Sequence, residues 1–326
     1  MIETQNPGFI ASTDMFAGTS DGSFAALYLA LALTQGQDGI AAINGCIEFH
    51  DQILQSFKLT PRGVLRLASG LFSMFDGTAQ TQILEDNYEL VSQGRQAILS
   101  DLKWAVSIES YNSATRQTVS YTRLKTPNTS LVNAALASSA LSPLVPAFRD
   151  DSPDAAYPGA VMYDGVLASN APIFAAIGDG IELLWSKNSP GLPTNVPPPE
   201  VDESMQSLRM LSMGCNVQRH WLIALLYSLP WPPCRENKNL YQYGALWTLL
   251  SAPSWLLSTL VQRQATDQSN AATTLLGANK FFRFSPESAG AMTLLEAMSC
   301  PTAFLLDADV QADALRLEGR IAPLVN

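Results

Sequence analysis

Residues 14–33 read DMFAGTSDGSFAALYLALAL. The short DMFAG run ends in a glycine-flanked turn, and beyond it Phe24, Leu27, Leu31 and their neighbours are apolar nearly all round a helix. That order predicts a strand, a sharp turn, and a helix buried in the core. Gly18-Thr19-Ser20-Asp21-Gly22 fits G-x-S-x-G, in which a serine occupies a strained strand-to-helix turn and its neighbours are small so that backbones can approach. The turn lifts the serine hydroxyl out of the sheet. It also sets the N–H of the next residue, Asp21, at a helix N-terminus where it can stabilise an oxyanion. Ser20 is therefore a candidate nucleophile; the plainer reading makes it a small residue in a tight connection.

The rest of the chain bounds what such a serine could serve. At 326 residues, 47% hydrophobic and 15% charged, the chain can bury a large core without disulfide or metal. A net charge of −10 argues against nucleic acid, because there are few cations to neutralise phosphates. Cys46, Cys215, Cys234 and Cys300 are widely spaced with no C-x-x-C pair, and only His50 and His220 could join them around a metal, so reduced structural thiols are expected. The opening MIETQNPGFIAST has no Lys or Arg and carries Glu3, unlike a secretory signal. FAALYLALAL and WLIALLYSLPW fall short of the roughly 20 residues that span a bilayer. A cytoplasmic location is the expectation, with transient contact at a membrane surface.

Periodicity supplies the remaining elements. Residues 40–104 read as amphipathic helix in places, including HDQILQSFKL and GRQAILSDLKW. WAVSIESY and QTVSYTRL alternate around the turn-like NSAT and predict a strand pair. TSLVNAALASSALSPLVPAF is an Ala-rich helix with a Thr or Ser cap, stopped by Pro143 and Pro146. GAVMYDGVLASNAP is a strand ending in an Asp-Gly turn. Residues 189–204 form a Pro-rich excursion. SLRMLSMGCN then resumes as strand, residues from Trp221 to about Thr274 as helix, KFFRFSP as a last strand, and the tail as helix. Strands interleaved with helices predict an α/β layered fold with a largely parallel central sheet flanked by helices, and a single domain over residues 1–326.

A serine nucleophile needs a base. His50 lies in an amphipathic helix and His220 at a predicted helix start, where surface or capping roles are the commoner use. Asp164 ends a strand and is followed by Gly165, which permits a tight approach; its plainer reading is an Asp-Gly turn. A carboxylate near its reference pKa of about 4 is a poor base, so desolvation would have to raise it. Glu85, Asp86 and Glu89 are expected on a solvated helix face rather than on a metal. The aromatic stretch WPPCRENKNLYQYGALW is expected to fill a core, with a lipid-facing lid as the alternative.

Taken in order, DMFAGTSDGSFAALYLA, AALASSALSPLVPAF and VMYDGVLASNAP resemble the patatin-like phospholipases, and LRMLSMGCN and KFFRFSP extend the likeness over about residues 14–285. The helical tail of residues 286–326 stands outside it. The resemblance implies lipid acyl hydrolysis of a lipid or fatty-acyl ester by a serine–aspartate dyad, without histidine or cofactor. Ser20 would attack the ester carbonyl, and Asp164 would take its proton and later activate water. It also implies that the segment from Ala137 to Ala140 packs near the site and that Ser169 to Pro172 begin the helix after the aspartate.

Two departures accompany the likeness. The family's Asp-Gly-Gly-Gly-x-Arg-Gly loop, which supplies most oxyanion donors, has no counterpart in the nineteen residues before Ser20, and Cys215-Asn216 stands where the family has Thr-Gly. An N-terminally incomplete copy, a substitute segment or impaired catalysis would each account for the first. The alternative function is therefore a lipid- or protein-binding module with an incomplete oxyanion hole. An α/β-hydrolase pairing Ser20 with His220 is disfavoured by the early position of Ser20.

Overall fold

The computed structural model describes residues 2–57, 60, 62–63, 65–66, 73, 75–142, 144–151, 155–167, 171–188, 208–213 and 264–284. The first half of the chain builds α1 (Ile2–Gln5), β1 (Met15–Thr19), α2 (Asp21–Thr34), α3 (Gly39–Ser56), α4 (Thr78–Asn87), β2 (Glu89–Leu90), β3 (Arg95–Gln96), β4 (Ala105–Asn112), β5 (Gln117–Tyr121) and α5 (Leu131–Ser138). There follow β6 (Phe148–Arg149), β7 (Val161–Asp164), α6 (Ile173–Asn188), β8 (Met210–Met213), α7 (264–276) and β9 (Phe281–Phe284).

β4 organises the main sheet. Ala105 to Ser110 are all buried, as expected of a strand covered on both faces. Along one edge it pairs with β5 over Ile108–Asn112. The other edge is shared. β1 lies parallel to the first part, Met15 opposite Ala105 through Thr19 opposite Glu109, and β7 lies antiparallel to the last part, Asp164 opposite Ser110. β6 pairs antiparallel with β7. The central sheet is thus mixed rather than largely parallel: β1–β4 is parallel and its other pairings are antiparallel, while β8 and β9 pair parallel in a separate two-stranded sheet. The short link from Asn112 to Gln117 explains part of this, since a few residues can only return a chain antiparallel.

Helices cover both faces. α2 carries Phe24, Leu27, Ala30 and Leu31 into a core with Val106 and Ile108 of β4 and Leu131, Ala134 and Ala135 of α5. α3 adds Phe49 and Ile53, its N-terminus capped by Asp38, which accepts from the N–H of Ala41. On the alternate face of β4, Ser107 donates to Asp179 of α6 at 2.5 Å, and Lys125 closes an ion pair with the same carboxylate. α6 also packs against α7 and β9 through Ile173, Ile177, Ala272, Leu276 and Phe281.

The predicted strand pair, the Ser-capped helix and the strands at 210–213 and 281–284 are in place. GRQAILSDLKW is not a helix. Its backbone is used sideways: Ala97 N–H donates to Tyr88, Leu99 N–H to Thr129, and Ala97 carbonyl accepts from Leu131. Arg95 grips Asp101 through two nitrogens at 2.7 and 2.8 Å, which fixes a 3₁₀ turn at Leu99–Asp101. The helical periodicity there is outweighed by tertiary hydrogen bonds. Glu85 and Asp86 are exposed on α4, whereas Glu89, expected on the same helix face, is exposed on β2 because the helix ends at Asn87; Cys46 is a buried free thiol. The Pro-rich stretch 189–204, the aromatic stretch 231–247, Cys215 with Asn216, His220, Cys234, Cys300 and the tail 286–326 lie outside the described residues.

Candidate active site

The site is made by two strand ends. β1 and β7 run toward each other along the same edge of β4 and stop on its consecutive residues, Glu109 and Ser110. The residue after β1 is Ser20 and the last residue of β7 is Asp164. Their meeting is close: Ser20 Oγ donates to Asp164 Oδ2 at 2.6 Å.

The turn at Ser20 is strained. Its backbone sits at φ 55, ψ −123, a left-handed conformation that costs a side-chain-bearing residue on the order of 1–3 kcal/mol. Gly18 makes the turn possible, because a Cβ there would lie 2.2 Å from the carbonyl oxygen of Gly22. Gly22 itself faces open space where a side chain would begin, so packing does not require its glycine. Ser20 N–H donates to Ser138 Oγ at 2.9 Å, and Ser138 Oγ donates to the Glu109 carbonyl at 2.6 Å. One hydroxyl therefore ties the elbow, α5 and β4 together.

Asp164 is fully buried, and its N–H and both carboxylate oxygens are hydrogen-bonded. Its N–H donates to the Ala140 carbonyl at 3.0 Å, Oδ1 accepts from Val166 N–H at 2.8 Å, and Oδ2 accepts from Ser20. The Oδ1 contact is the Asp-Gly turn anticipated from sequence; turn and carboxylate presentation coexist. Burial drives its pKa up, the hydrogen bonds from Ser20 and Val166 pull it back, and the charge of Asp21 adds to the rise, leaving it at about 7. Gly165 is demanded by the junction. A Cβ on it would stand 2.5 Å from the Glu109 carbonyl oxygen and 2.8 Å from Thr19 Cγ2.

The segment from Ala137 to Ala140 holds both partners, Ser20 through Ser138 and Asp164 through Ala140. The family resemblance implied that the segment lies nearby, and these bonds are what its position amounts to. Of SNAP, Ser169 and Asn170 lie outside the described residues, and α6 starts just after Pro172.

His50 is brought to the site's border. Its Nε2 is 2.9 Å from Asp21 Oδ1, and its ring packs edge-on to Phe24 and Phe49. Burial opposes its protonation, but Asp21 with a contribution from Cys46 outweighs this and raises the pKa. The Asp21 N–H, in the first turn of α2, has no carbonyl to bond within the helix and belongs to the residue next to Ser20. Among the described residues no group of three His, Cys, Asp or Glu is arranged to hold a metal, and no helix is long and apolar enough to cross a membrane.

Such a turn can perform acyl transfer, in which a hydroxyl attacks a carbonyl and a neighbouring base takes the proton. Among curated proteins none matches the chain. The family model described as Patatin-like phospholipase matches residues 5–177, just over half of the chain and a span that contains both Ser20 and Asp164. Members of that family are lipid acyl hydrolases acting on lipid substrates. With the strand-to-helix elbow and α/β architecture already in place, the match shows that this chain belongs to the patatin-like phospholipase family.

Proposed function

We propose that the chain hydrolyses lipid or fatty-acyl esters with Ser20 as nucleophile and Asp164 as general base. The observation that carries this reading is the 2.6 Å hydrogen bond between a serine held on a strained turn and a buried carboxylate. The Ser20 hydroxyl proton passes to Asp164 as Oγ bonds to the carbonyl carbon. The resulting oxyanion accepts from the Asp21 N–H. When the C–O bond to the leaving alcohol breaks, that alcohol takes the proton from Asp164. Water then repeats the sequence: it gives a proton to Asp164, attacks the acyl-enzyme, and releases the fatty acid and Ser20.

A pKa of about 7 suits this assignment, since a base works best when its pKa is near the operating pH. The reaction as written calls for no cofactor. Gly18 and Gly165 act as spacers that let the two strand ends close. We read the described residues as parts of one domain, because α6 is tied to β4 through Asp179 and to α7 through Ile177.

The test is hydrolysis of short and medium p-nitrophenyl esters. Ser20→Ala and Asp164→Asn are each expected to lower the rate by about 10³-fold or more. Activity that survives Asp164→Asn would overturn the dyad. A folded wild-type sample that neither turns over esters nor reacts with a fluorophosphonate would favour the binding-module reading instead.

A further inference from the structure

The elbow is held from two sides. Ser138 Oγ accepts the Ser20 N–H, and His50 holds the side chain of the next residue, its Nε2 donating to Asp21 Oδ1 at 2.9 Å. A backbone strained at φ 55 persists only where its surroundings over-determine it. His50 is itself fixed in place. Its ring stands edge-on to Phe24 of α2, 6.4 Å between centroids, and to Phe49 of its own helix at 6.1 Å. Asp21 and Phe24 lie one turn apart on α2, so a single imidazole bridges the first turn of that helix to α3.

The same contact sets a charge. Burial is the main cause that raises the Asp164 carboxyl, Ser20 and Val166 pull it back, and the carboxylate of Asp21 adds to the rise. A like charge nearby disfavours the ionised form that a general base needs. A proton on His50 cancels that charge. Burial opposes this proton, but Asp21, helped by Cys46 one turn earlier on α3, outweighs burial and raises the His50 pKa to about 10. His50 is therefore an imidazolium over the range in which Asp164 titrates.

The other titratable groups nearby do not supply this cation. Tyr88 packs on Phe49 and donates its hydroxyl to the Phe24 carbonyl, and burial keeps it neutral. Glu48 and Asp51 are too close to His50 in sequence to share its face of α3. Glu109 precedes Ser110 on β4 and so faces the other side of the sheet from Asp164, which pairs with Ser110. Among the described residues, His50 is the ion-pair partner of Asp21.

We propose that His50 is a positioning residue of the site: its imidazolium fixes Asp21 to α3 and shields the Ser20–Asp164 pair from the Asp21 charge. Its effect on rate rests on the hydrolase reading above. Its effect on Asp164 does not.

Infrared titration of the full chain tests this through the protonated-carboxyl band that is lost in Asp164→Asn. In His50→Gln the midpoint of that band is expected to rise by about 0.5 pH unit or more. Adding Asp21→Asn, or keeping a cation with His50→Lys, is expected to bring it back. A midpoint that stays in place in His50→Gln, or moves as far in His50→Lys, overturns the proposal. Should the variants fail to fold, proton NMR of the unaltered chain takes their place, because it has two histidines and His220→Gln separates their signals. His50 is expected to keep its proton at pH 8; its loss near the ordinary value of about 6.5 overturns the proposal.

In kinetics the same shift lowers kcat/KM about threefold at pH 6 and leaves it within about twofold at pH 9. An equal loss at every pH would mark a structural support only and overturn the shielding. Since the infrared and NMR readouts need no turnover, a chain that shows the shift yet cleaves no ester would count against the Ser20 mechanism and leave the linkage of His50 to Asp164 standing.

Discussion

The hydroxyl of Ser20 donates to Oδ2 of Asp164 at 2.6 Å although 144 positions separate the two residues. Local preference cannot hold them together; the register of β4 does. β1 ends opposite Glu109 and β7 ends opposite Ser110, so β1 delivers the residue that follows it and β7 its own last residue to one point on a shared edge from opposite directions. A shift of either strand by one residue would turn its side chains to the other face of the sheet.

The buried carboxyl makes activity and stability respond to pH in opposite senses. With a pKa of about 7, Asp164 is expected to lose its basic form on acidification, so kcat/KM falls close to tenfold per unit below pH 7. For stability the folded pKa stands above the unfolded value of about 3.9. The group's contribution is then fully present below about pH 4 and is lost as pH rises through 7. Asp164→Asn should therefore gain up to about 4 kcal/mol relative to wild type between pH 4 and pH 8. Denaturant titrations at the two pH values check this, and a gap that does not change with pH would contradict it.

Gly165→Ala should damage the junction where the strands meet. Its new methyl would press on the Glu109 carbonyl and on Thr19 Cγ2, and the first of these is backbone that cannot swing aside. A loss of about 1–3 kcal/mol in stability is expected from such overpacking. Displacing Asp164 by an ångström would cost about 10²-fold in kcat. Gly22→Ala is the contrast, because its position opens on free space; equal losses in both variants would refute the steric account.

Ser138→Ala removes one hydroxyl that serves both the Ser20 N–H and the Glu109 carbonyl. Leaving buried groups unpaired costs about 1–3 kcal/mol. Because the elbow loses its tether while the dyad residues remain, kcat is expected to fall by more than KM rises. Steady-state kinetics beside a thermal melt separates the two effects, and an unchanged kcat would remove Ser138 from the elbow's support.

His50→Gln should keep measurable ester hydrolysis, since the imidazole is engaged by Asp21 and a carboxylate holds the serine. Its raised pKa predicts stability that is complete below about pH 6.5 and disappears as pH climbs through the higher folded value. Asp21 is well exposed, so the pair is worth only about 0.5–1 kcal/mol. Unfolding midpoints on either side of that range should show the variant's deficit closing at high pH. Complete loss of turnover would return the histidine to the role of base.

Much of the architecture was legible because it is written in short range. The alternation on either side of NSAT, the serine cap at Ser130 and the apolar run after Gly22 each reflect interactions within a few residues, and each element is found. GRQAILSDLKW misled for the complementary reason. Its helical periodicity is real, but Tyr88, Thr129 and Leu131 claim its backbone from elsewhere in the chain.

The site divides in the same way. Gly18, Ser20, Asp21, Asp164 and Gly165 could be singled out from residue types and neighbours alone, as could the want of a promising histidine. The tie from Ser138 and the pairing of His50 with Asp21 could not, since no spacing relates them. By itself the sequence determined a serine on a strand-to-helix turn and a carboxylate at the end of another strand. Only the tertiary structure decided that the two meet, because that depends on which residues of β4 each strand pairs with, and on a desolvation that no single segment of chain can impose.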